Sequence, residues 1–579
     1  MQTLTRFFSS RWLTALFAIL FITSTLTACK GNSTSSTEAN SNSSRSVTDA
    51  GNSSGQNSNG NSNGSSNETP AITPYERKED YPGIVTLPLQ FISTSSGKKM
   101  GVLVTLPADE KGEPINSAFP AVLVQTAYNI NAISGLNGKM PQGVSALVGA
   151  PDPFIVKRGY AMVTVDAVGT GVSDGGWEML GEEEQSGYAD ALDWVLKQSW
   201  SNGKIGVAGA SYMAITALFT AESRPDAVQA IFASVPMGDA YRGTVSTGGM
   251  INGLFMSTWL TTTALLTKQN SAVAAKYPEY KDQIDAATKE HIAQIDNYYL
   301  PVINKALTGD PEITYDSQFW RTRSPIAKID NIKAPTMILG ALNDIFQRDE
   351  PLLYEQLKKN VDTRLIIYDG DHVSNFLQQY AGNDKVAPAP NLMLQWFDKY
   401  LKGINSGIEK IPPVTQYVKG RSDSNERKAF ASTTDWPHPL ATAERWYLHG
   451  DKSLTKIAPV DDEETHSLTT PPFADIVAKK SAGGTALDFK VSPKDGTRCS
   501  ISFRQWTLGG ASAANPARCY ADSTELEANA LNFETAPFEK DYYINGPIQA
   551  DIWIDSTTTE AVVSVRIDEV ASDGSFVKP

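Results

Sequence analysis

Ser211 is the first residue in this chain whose setting predicts chemistry. Residues 204–208 are typical of an apolar strand, and residues 212–224 of a helix that closes before Pro225. Gly209 and the small residue after it let the strand and helix backbones come close while the serine hydroxyl projects. A serine in such a strand-turn-helix setting is predicted to be the nucleophile of an acyl-transfer reaction.

A second serine, Ser173, fits the generic Gly-x-Ser-x-Gly pattern better than Ser211 does. Met213 occupies the second glycine position after Ser211, whereas both glycines flank Ser173. The residues after Ser173 are Asp-Gly-Gly-Trp, which predict a loop instead of a helix. We therefore predict that Ser211 is the nucleophile and that Ser173 is not.

A serine nucleophile needs a base that takes its proton and a third group that orients the base. Of the five histidines, only His372 comes just past an apolar strand-like run, residues 364–368, with a turn between them. His291 lies in a charged helical run, and we predict that it faces solvent. The other three lie in loops or at a strand end: His438, His449 and His466.

A carboxylate stands in a matching position at Asp344. It ends an apolar run that begins at Pro335, and this run predicts another strand. The chain order Ser211, Asp344, His372 is that of the α/β-hydrolases. The three residues predict a two-step reaction through an acyl-enzyme, in which His372 is the base and Asp344 holds its tautomer.

The elements that must position these residues follow from the pattern of apolar runs. Strand-like runs alternate with helical segments, which is typical of a mostly parallel sheet with its functional groups at the strand ends. A helix-rich stretch, residues 239–323, interrupts this pattern and includes a helical run over 271–299; we expect it to form a cap over the nucleophile. The predicted strands cover 102–106, 121–125, 161–166, 204–208, 230–235, 336–340 and 365–368.

After Gly403 the sequence changes to short β-like runs separated by loops, which predicts a β-sandwich over 406–579. Two cysteines, Cys499 and Cys519, fall in this part, and we hypothesise a disulfide between them because the protein is expected outside the cytoplasm. The chain stops at Pro579, where a hairpin partner would run on, so we expect the sequence to be incomplete there. The β-like runs are residues 415–418, 445–448, 550–554 and 561–567.

The N-terminus carries a targeting signal. Two arginines precede an apolar run over 12–23, and Leu-Thr-Ala-Cys29 closes it in the manner of a lipobox. We predict that residues 1–28 are a lipoprotein signal peptide and that Cys29 becomes the lipid anchor of an exported bacterial lipoprotein, in the outer membrane or cell envelope. The alternative is an ordinary signal peptide cut near Ala28.

Composition sets further bounds. Residues 29–72 are rich in Ser, Asn and Gly and are predicted to form a disordered linker. The chain has 50 Lys and Arg against 64 Asp and Glu, a net charge of −14, which argues against nucleic acid as a partner. It shows no metal-ligand cluster and no phosphate-binding loop, so no metal and no cofactor are expected. Membrane contact is expected through the lipid anchor only, and the oligomeric state stays open.

Several motifs resemble those of the X-Pro dipeptidyl-peptidase (S15) and cocaine-esterase-like (CocE/NonD) hydrolases. The family's Gly-x-Ser-Tyr-x-Gly motif matches residues 209–214, with Ala214 in place of the last glycine. Its Asp-x-Arg-Gly-x-Gly-x-Ser-x-Gly motif matches residues 166–175, with Val168 in place of the arginine. The resemblance runs from about Gly97 to the end of the chain.

The resemblance implies an architecture and an oxyanion hole. It implies an α/β-hydrolase domain over 73–238 and 324–405, with the helical cap inserted between these parts and a C-terminal jelly roll as the β-sandwich. The oxyanion hole would be formed by the Tyr128 hydroxyl and the backbone N–H of Tyr212.

Three functions remain open from the sequence. An acyl esterase needs only an acyl pocket, whereas an X-Pro dipeptidyl-peptidase must also bind a free N-terminal ammonium group with carboxylates near the nucleophile. Tyr-Met-Ala follows Ser211 and contains no acid, so an esterase acting on a small-molecule ester is preferred over a peptidase acting on a peptide. The third alternative is an inactive, surface-anchored binding protein.

Overall fold

The computed structural model describes residues 72–134, 143–383, 385–420, 429–460, 463–467, 530–557, 559, 561, 563–571, 573, 574, 577 and 578. The predicted signal peptide and Cys29 lie outside these residues, as do Cys499 and Cys519. The lipid anchor and the disulfide therefore stay predictions. Within the described residues, no helix combines the length and the apolar character needed to cross a membrane.

The described chain folds into strands and helices with the following bounds. The strands are β1 Gly83–Thr86, β2 Gln90–Ser93, β3 Lys99–Ala108, β4 Phe119–Thr126, β5 Ala161–Asp166, β6 Ser201–Ala210, β7 Val228–Ser234, β8 Ser246–Thr247, β9 Met250–Ile251, β10 Thr336–Asn343, β11 Thr363–Asp371, β12 Val414–Val418, β13 Ala429–Thr433, β14 Tyr447–Leu448, β15 Leu454–Thr455, β16 Glu569–Val570 and β17 Val577–Lys578. The α-helices are α1 Ile130–Ser134, α2 Val144–Leu147, α3 Pro153–Val156, α4 Glu182–Leu196, α5 Tyr212–Ser223, α6 Gly253–Leu266, α7 Ser271–Lys276, α8 Lys281–Gln294, α9 Leu300–Thr308, α10 Pro311–Thr314, α11 Gln318–Thr322, α12 Asp349–Leu357, α13 His372–Ala381 and α14 Ala389–Lys402.

The main sheet has the strand order β1-β3-β5-β4-β6-β7-β10-β11-β12-β13, and β2 pairs with β3. The strands from β5 through β12 in this order pair in parallel. Every residue of β4 and β5 is buried, as expected for parallel strands covered by helices on both faces. The predicted mostly parallel sheet is confirmed, and each of the seven strands predicted for the hydrolase domain lies within or overlaps an observed one.

The far edge of this sheet extends past the predicted domain boundary. β12 pairs in parallel with β11, and β13 pairs antiparallel with β12. The sequence pattern assigns residues 415–418 to the C-terminal β-sandwich, but they form a strand of the hydrolase sheet. An alternating strand reads the same in either sheet, so the pattern alone cannot assign the strand to one of them.

The described part of the C-terminal region carries short ladders, β14 with β15 and β16 with β17. The strands predicted over 550–554 and 561–567 are not observed among the described residues. A strand needs a neighbouring chain to complete its hydrogen bonds, and the described residues supply no such neighbour for these segments.

The insertion between β7 and β10 contains the helices α6 to α11, as the sequence predicts for the cap. We use "cap" below for residues 239–323. The helical run predicted over 271–299 divides into α7 and α8, with one 3₁₀ turn, Pro278–Tyr280, between them. Pro278 explains the break, because proline disfavours the helical conformation in the residue before it and lacks an N–H donor.

His291 is buried, so the prediction that it faces solvent is wrong. It shares one face of α8 with Ile284 and Ala287, the other buried residues of that helix. Its Nδ1 lies 3.1 Å from the Thr267 carbonyl oxygen within the cap, and its Nε2 lies 2.8 Å from the Ser173 carbonyl oxygen in the hydrolase domain. The charged residues of this helix are exposed or half-buried and lie between the buried ones in sequence, which hid the buried stripe.

Candidate active site

The nucleophile elbow is built where β6 turns directly into α5. Ser211 has φ 58° and ψ −124°, a strained conformation for a residue with a side chain. A Cβ atom at Gly209 would lie 2.4 Å from the carbonyl carbon of Met213, so only glycine fits there. Met213 itself is 3% exposed, which places its side chain in the core and allows it to replace the second glycine of the generic motif.

The structure brings Ser211, His372 and Asp344 together at one edge of the sheet. Asp344 follows β10 and His372 follows β11. Strand β10 lies between β11 and β7, and β7 is the neighbour of β6. His372 Nε2 is 2.8 Å from Ser211 Oγ, and His372 Nδ1 is 2.7 Å from Asp344 Oδ2. Because parallel strands end at the same edge, residues far apart in sequence meet here.

The surroundings of Asp344 and His372 fix the role of each ring nitrogen. The Asp344 side chain is fully buried, and its Oδ1 accepts a hydrogen bond from the Phe346 backbone N–H at 2.7 Å. The carboxylate therefore accepts the Nδ1 proton of His372, which leaves Nε2 as the acceptor for the serine hydroxyl. The Phe346 ring packs edge-on against the imidazole with a centroid distance of 5.5 Å.

Ser173 has no comparable setting. It is fully buried, its hydroxyl donates to the Asp166 carbonyl oxygen at 2.8 Å, and its Oγ accepts from the Gly101 N–H at 3.0 Å. The hydroxyl thus ties a loop to strand β3. This geometry supports the choice of Ser211 over Ser173.

Two hydrogen-bond donors stand beside Ser211 where the resemblance places the oxyanion hole. The Tyr212 N–H opens α5, where backbone N–H groups have no partner within the helix and the helix dipole favours negative charge. The Tyr128 ring lies 5.7 Å from the Tyr212 ring. Burial raises the pKa of Tyr128 to about 12, against smaller opposing effects of hydrogen bonds with Trp259 and Ser211. The phenol therefore stays protonated and able to donate.

A buried glutamate that the sequence did not single out holds the Tyr212 side chain. Glu184 accepts hydrogen bonds from the hydroxyls of Tyr212 and Tyr188, from the Trp177 indole at 3.1 Å and from the Leu180 N–H at 2.6 Å. Burial raises the pKa of Glu184 to about 7, although the hydrogen bonds from Tyr188, Trp177 and Leu180 oppose the rise. Three consecutive glutamates begin α4, and nothing in the sequence indicates which of them is buried.

A second buried carboxylate shapes the loop that carries Tyr128. Asp166 accepts from the Ile130 N–H at 2.7 Å through Oδ1 and from the Val172 N–H at 3.0 Å through Oδ2. Burial raises the pKa of Asp166 to about 7. This aspartate opens the second family motif, but the motif alone did not reveal that it fixes the chain just after Tyr128.

Comparison with known proteins assigns both main parts of the chain. Residues 96–374 match the model of the X-Pro dipeptidyl-peptidase (S15) family, and residues 406–577 match the X-Pro dipeptidyl-peptidase C-terminal non-catalytic domain. The second match covers the region predicted to be the jelly roll.

Individual relatives are similar at low identity. A cocaine esterase from Rhodococcus is 24% identical over 451 residues, which cover 73% of this chain and 72% of the relative. An Xaa-Pro dipeptidyl-peptidase from Lacticaseibacillus rhamnosus is 23% identical over 313 residues, 50% of this chain but only 36% of that protein.

A solved structure of a CocE/NonD family hydrolase from Staphylococcus aureus shares 21% identity, covers 65% of this chain and 60% of its own, and has a TM-score of 0.49. The sequence matches span the sheet with its Ser211, Asp344 and His372 as well as the C-terminal region. The chain belongs to the S15 X-Pro dipeptidyl-peptidase family of hydrolases.

Proposed function

We propose that the protein is a serine esterase that cleaves acyl esters through a covalent acyl-enzyme on Ser211. One observation carries the proposal: Asp344, His372 and Ser211 form a continuous series of hydrogen bonds of 2.7 and 2.8 Å. Such a series activates a hydroxyl that is otherwise a weak nucleophile.

The geometry supports a two-step reaction. Ser211 Oγ attacks the ester carbonyl carbon while His372 Nε2 takes the hydroxyl proton, and Asp344 stabilises the imidazolium that forms. The Tyr128 hydroxyl and the Tyr212 N–H hold the developing oxyanion. The imidazolium then protonates the leaving alcohol as the tetrahedral intermediate collapses to the acyl-enzyme. In the second step a water molecule loses a proton to His372 as its oxygen attacks the acyl carbon. His372 then returns this proton to Ser211 Oγ as the acid leaves, which restores the free enzyme.

The surroundings of Ser211 favour an ester over a peptide with a free N-terminus. Tyr128, Trp259 and Phe346 bring aromatic surface close to the nucleophile and its base. A peptidase of the X-Pro type needs a carboxylate that is available for an ammonium group. Glu184 contacts the Tyr212 hydroxyl, but its oxygens already accept four hydrogen bonds from the protein.

The substrate class is tested by comparing p-nitrophenyl butyrate with Gly-Pro-p-nitroanilide. We expect the purified protein to hydrolyse the ester and to leave the anilide uncleaved. A higher kcat/KM on the anilide would make the X-Pro dipeptidyl-peptidase the correct assignment. Hydrolysis of neither compound, together with no labelling by a fluorophosphonate, would favour the inactive binding protein.

The nucleophile is tested with a pair of serine variants. Ser211→Ala should fold, as measured by circular dichroism, and should lose both ester turnover and labelling by a fluorophosphonate. Ser173→Ala is the matched control, which should keep the label because that hydroxyl only ties two backbone segments together. Labelling that survives in Ser211→Ala and disappears in Ser173→Ala would reverse the assignment.

The lipobox-like sequence supports the further proposal that the enzyme is an exported lipoprotein anchored through Cys29. Metabolic labelling with palmitate in a bacterial host should mark the wild type and should not mark Cys29→Ser. A labelled Cys29→Ser variant would remove this proposal without affecting the esterase assignment.

A further inference from the structure

One contact joins the cap directly to the oxyanion hole. The Trp259 indole nitrogen, on α6 of the cap, donates a hydrogen bond to the Tyr128 hydroxyl oxygen at 3.1 Å. Tyr128 belongs to the hydrolase domain, in the loop after β4. We propose that Trp259 is a positioning residue that directs the Tyr128 proton toward the oxyanion, an inference that rests on the proposed esterase function.

The direction of this hydrogen bond follows from the chemistry of the two groups. An indole N–H can only donate, so the phenol oxygen must be the acceptor. The single phenol proton is then free to point at the substrate oxygen beside Ser211. An accepting phenol is also a better donor, because hydrogen bonds in a chain polarise one another.

The same contact protects the nucleophile. The Ser211 hydroxyl lies 2.8 Å from His372 Nε2 and also contacts the Tyr128 hydroxyl, whose oxygen can accept a hydrogen bond. Only the hydrogen bond to His372 activates the serine. Because the Trp259 N–H already donates to the phenol oxygen, a hydrogen bond from the serine hydroxyl to Tyr128 is weakened. The hydrogen bond from the serine hydroxyl to His372 is then favoured.

Ring packing from both sides holds the indole in place. The Phe255 ring, one turn earlier on α6, is nearly parallel to the Trp259 ring, with an interplanar angle of 7° and a centroid distance of 6.1 Å. Trp177 of the hydrolase domain packs edge-on at 5.2 Å, and the Tyr212 ring lies at 6.4 Å. Trp259 thus contacts the side chains of both residues that supply oxyanion donors. This packing fixes the direction of the N–H.

The proposal predicts an effect on the chemical step and not on substrate binding. The oxyanion forms only in the transition state, so a misdirected phenol lowers kcat and leaves KM unchanged. Loss of one neutral hydrogen bond corresponds to about a 3- to 10-fold fall in kcat. The substrate for this measurement is p-nitrophenyl acetate, whose small acyl group limits its contact with the indole ring.

The test replaces the indole by a ring without an N–H. Trp259→Phe should lower kcat about 3- to 10-fold at constant KM. Trp320→Phe is the matched control, because the Trp320 indole also donates a buried hydrogen bond within the cap, to the Ile313 carbonyl at 2.9 Å, away from the site. The control should keep kcat within twofold of the wild type.

A double-mutant cycle separates positioning from general packing. In a Tyr128→Phe background the phenol is absent, so Trp259→Phe should cause no further loss of kcat. An equal loss in both backgrounds would show that Trp259 acts through packing alone and would overturn the proposal. An unchanged kcat for Trp259→Phe in an active enzyme would overturn it as well.

Two further outcomes are distinguishable. If Trp259→Phe does not fold, incorporation of β-(3-benzothienyl)alanine at position 259 keeps the ring size and removes only the N–H, and it should give the same fall in kcat. If the wild type hydrolyses neither p-nitrophenyl butyrate nor p-nitrophenyl acetate, the esterase assignment fails before the variants are compared. The Trp259 proposal then falls with it, and the cause is clear from the wild type alone.

Discussion

The sheet and the cap differ in how they are held, and each contributes a different part of the site. Strands β4 and β5 are buried along their whole length, and the strands that carry Ser211, Asp344 and His372 stand beside them in one sheet. Helix α9 of the cap has no buried residue, and its Leu307 is 82% exposed. Ser211, Asp344 and His372 thus stand at the ends of strands in a sheet whose central strands are buried.

Hydrogen bonds join the cap to the hydrolase domain, in addition to the ring packing of Trp259. Asn270 of the cap donates to the Gly171 carbonyl oxygen at 2.6 Å, and its Oδ1 accepts from Asn129 at 3.0 Å. His291 reaches the Ser173 carbonyl oxygen in the same area. These are directional hydrogen bonds to loops of the hydrolase domain. Changes in the sheet should therefore alter the reaction strongly, and changes in the cap should tune it.

The largest effect is expected for Asp344→Asn. The amide cannot hold the Nδ1 proton of His372 as the carboxylate does, so the wrong tautomer faces Ser211 and kcat should fall about 10⁴-fold. Steady-state hydrolysis of p-nitrophenyl butyrate measures the change. Asp349→Asn is a suitable control, since Asp349 is also buried but accepts from the Gly238 and Asp239 N–H groups instead of a catalytic histidine. The control should lose thermal stability and keep kcat within a few-fold.

The second effect in size is expected for Tyr128→Phe, which removes one oxyanion donor. We expect kcat to fall about 10²- to 10³-fold, because loss of one such donor costs roughly 2.7–4 kcal/mol in the transition state. A fall no larger than that of Trp259→Phe would contradict the oxyanion role of this hydroxyl. The ratio of the two effects measures directly how far the cap tunes a donor that the hydrolase domain supplies.

The third effect is expected on the stability of the hydrolase domain, through Glu184 of helix α4. Its pKa is raised to about 7 by burial, above the usual value near 4.3, so the folded state binds a proton that the unfolded state has lost. Its contribution is therefore fully present below about pH 4.3 and is lost as the pH rises through about 7, with a change on the order of 3 kcal/mol. Glu184→Gln should remove this slope. The unfolding free energy of wild type and Glu184→Gln is measured with urea at pH 5 and at pH 8. An equal change between the two pH values in both proteins would contradict the prediction.

The extent of prediction from the sequence differs between the same two regions. Strand ends with a serine, an aspartate and a histidine carry a local signal, so Ser211, Asp344 and His372 could be chosen from pattern and chain order. The burial of Glu184 and His291 could not, because each lies in a charged run where only tertiary packing decides which side chain turns inward. The Trp259 contact with Tyr128 joins residues from two domains, and no local pattern encodes such a pair.

The smallest effect is expected for His291→Leu in the cap. At pH 8 the neutral imidazole donates to one of the two carbonyl oxygens that face it, and the Thr267 oxygen also accepts from the Asn270 side-chain amide. The loss of one buried hydrogen bond should cost about 1–3 kcal/mol of unfolding free energy. Ester turnover should change less than about threefold, because the lost contact is remote from Ser211. Lys289→Leu, on the exposed face of the same helix, is the control and should stay within about 0.5 kcal/mol of the wild type.

The difference in unfolding free energy between wild type and His291→Leu should depend on pH, and this dependence tests the contact that His291 makes with the hydrolase domain. Burial lowers the pKa of His291, while the two carbonyls and the nearby Glu290 and Asp174 oppose the shift. The unfolded chain therefore takes up the proton first, and the contribution of His291 is present above about pH 6.5 and is lost as the pH falls through the folded pKa. Urea unfolding of wild type and His291→Leu should show a gap that narrows from pH 8 to pH 5. A gap that widens would mean that the imidazolium, donating to both carbonyls at once, is the form that holds the cap to the hydrolase domain.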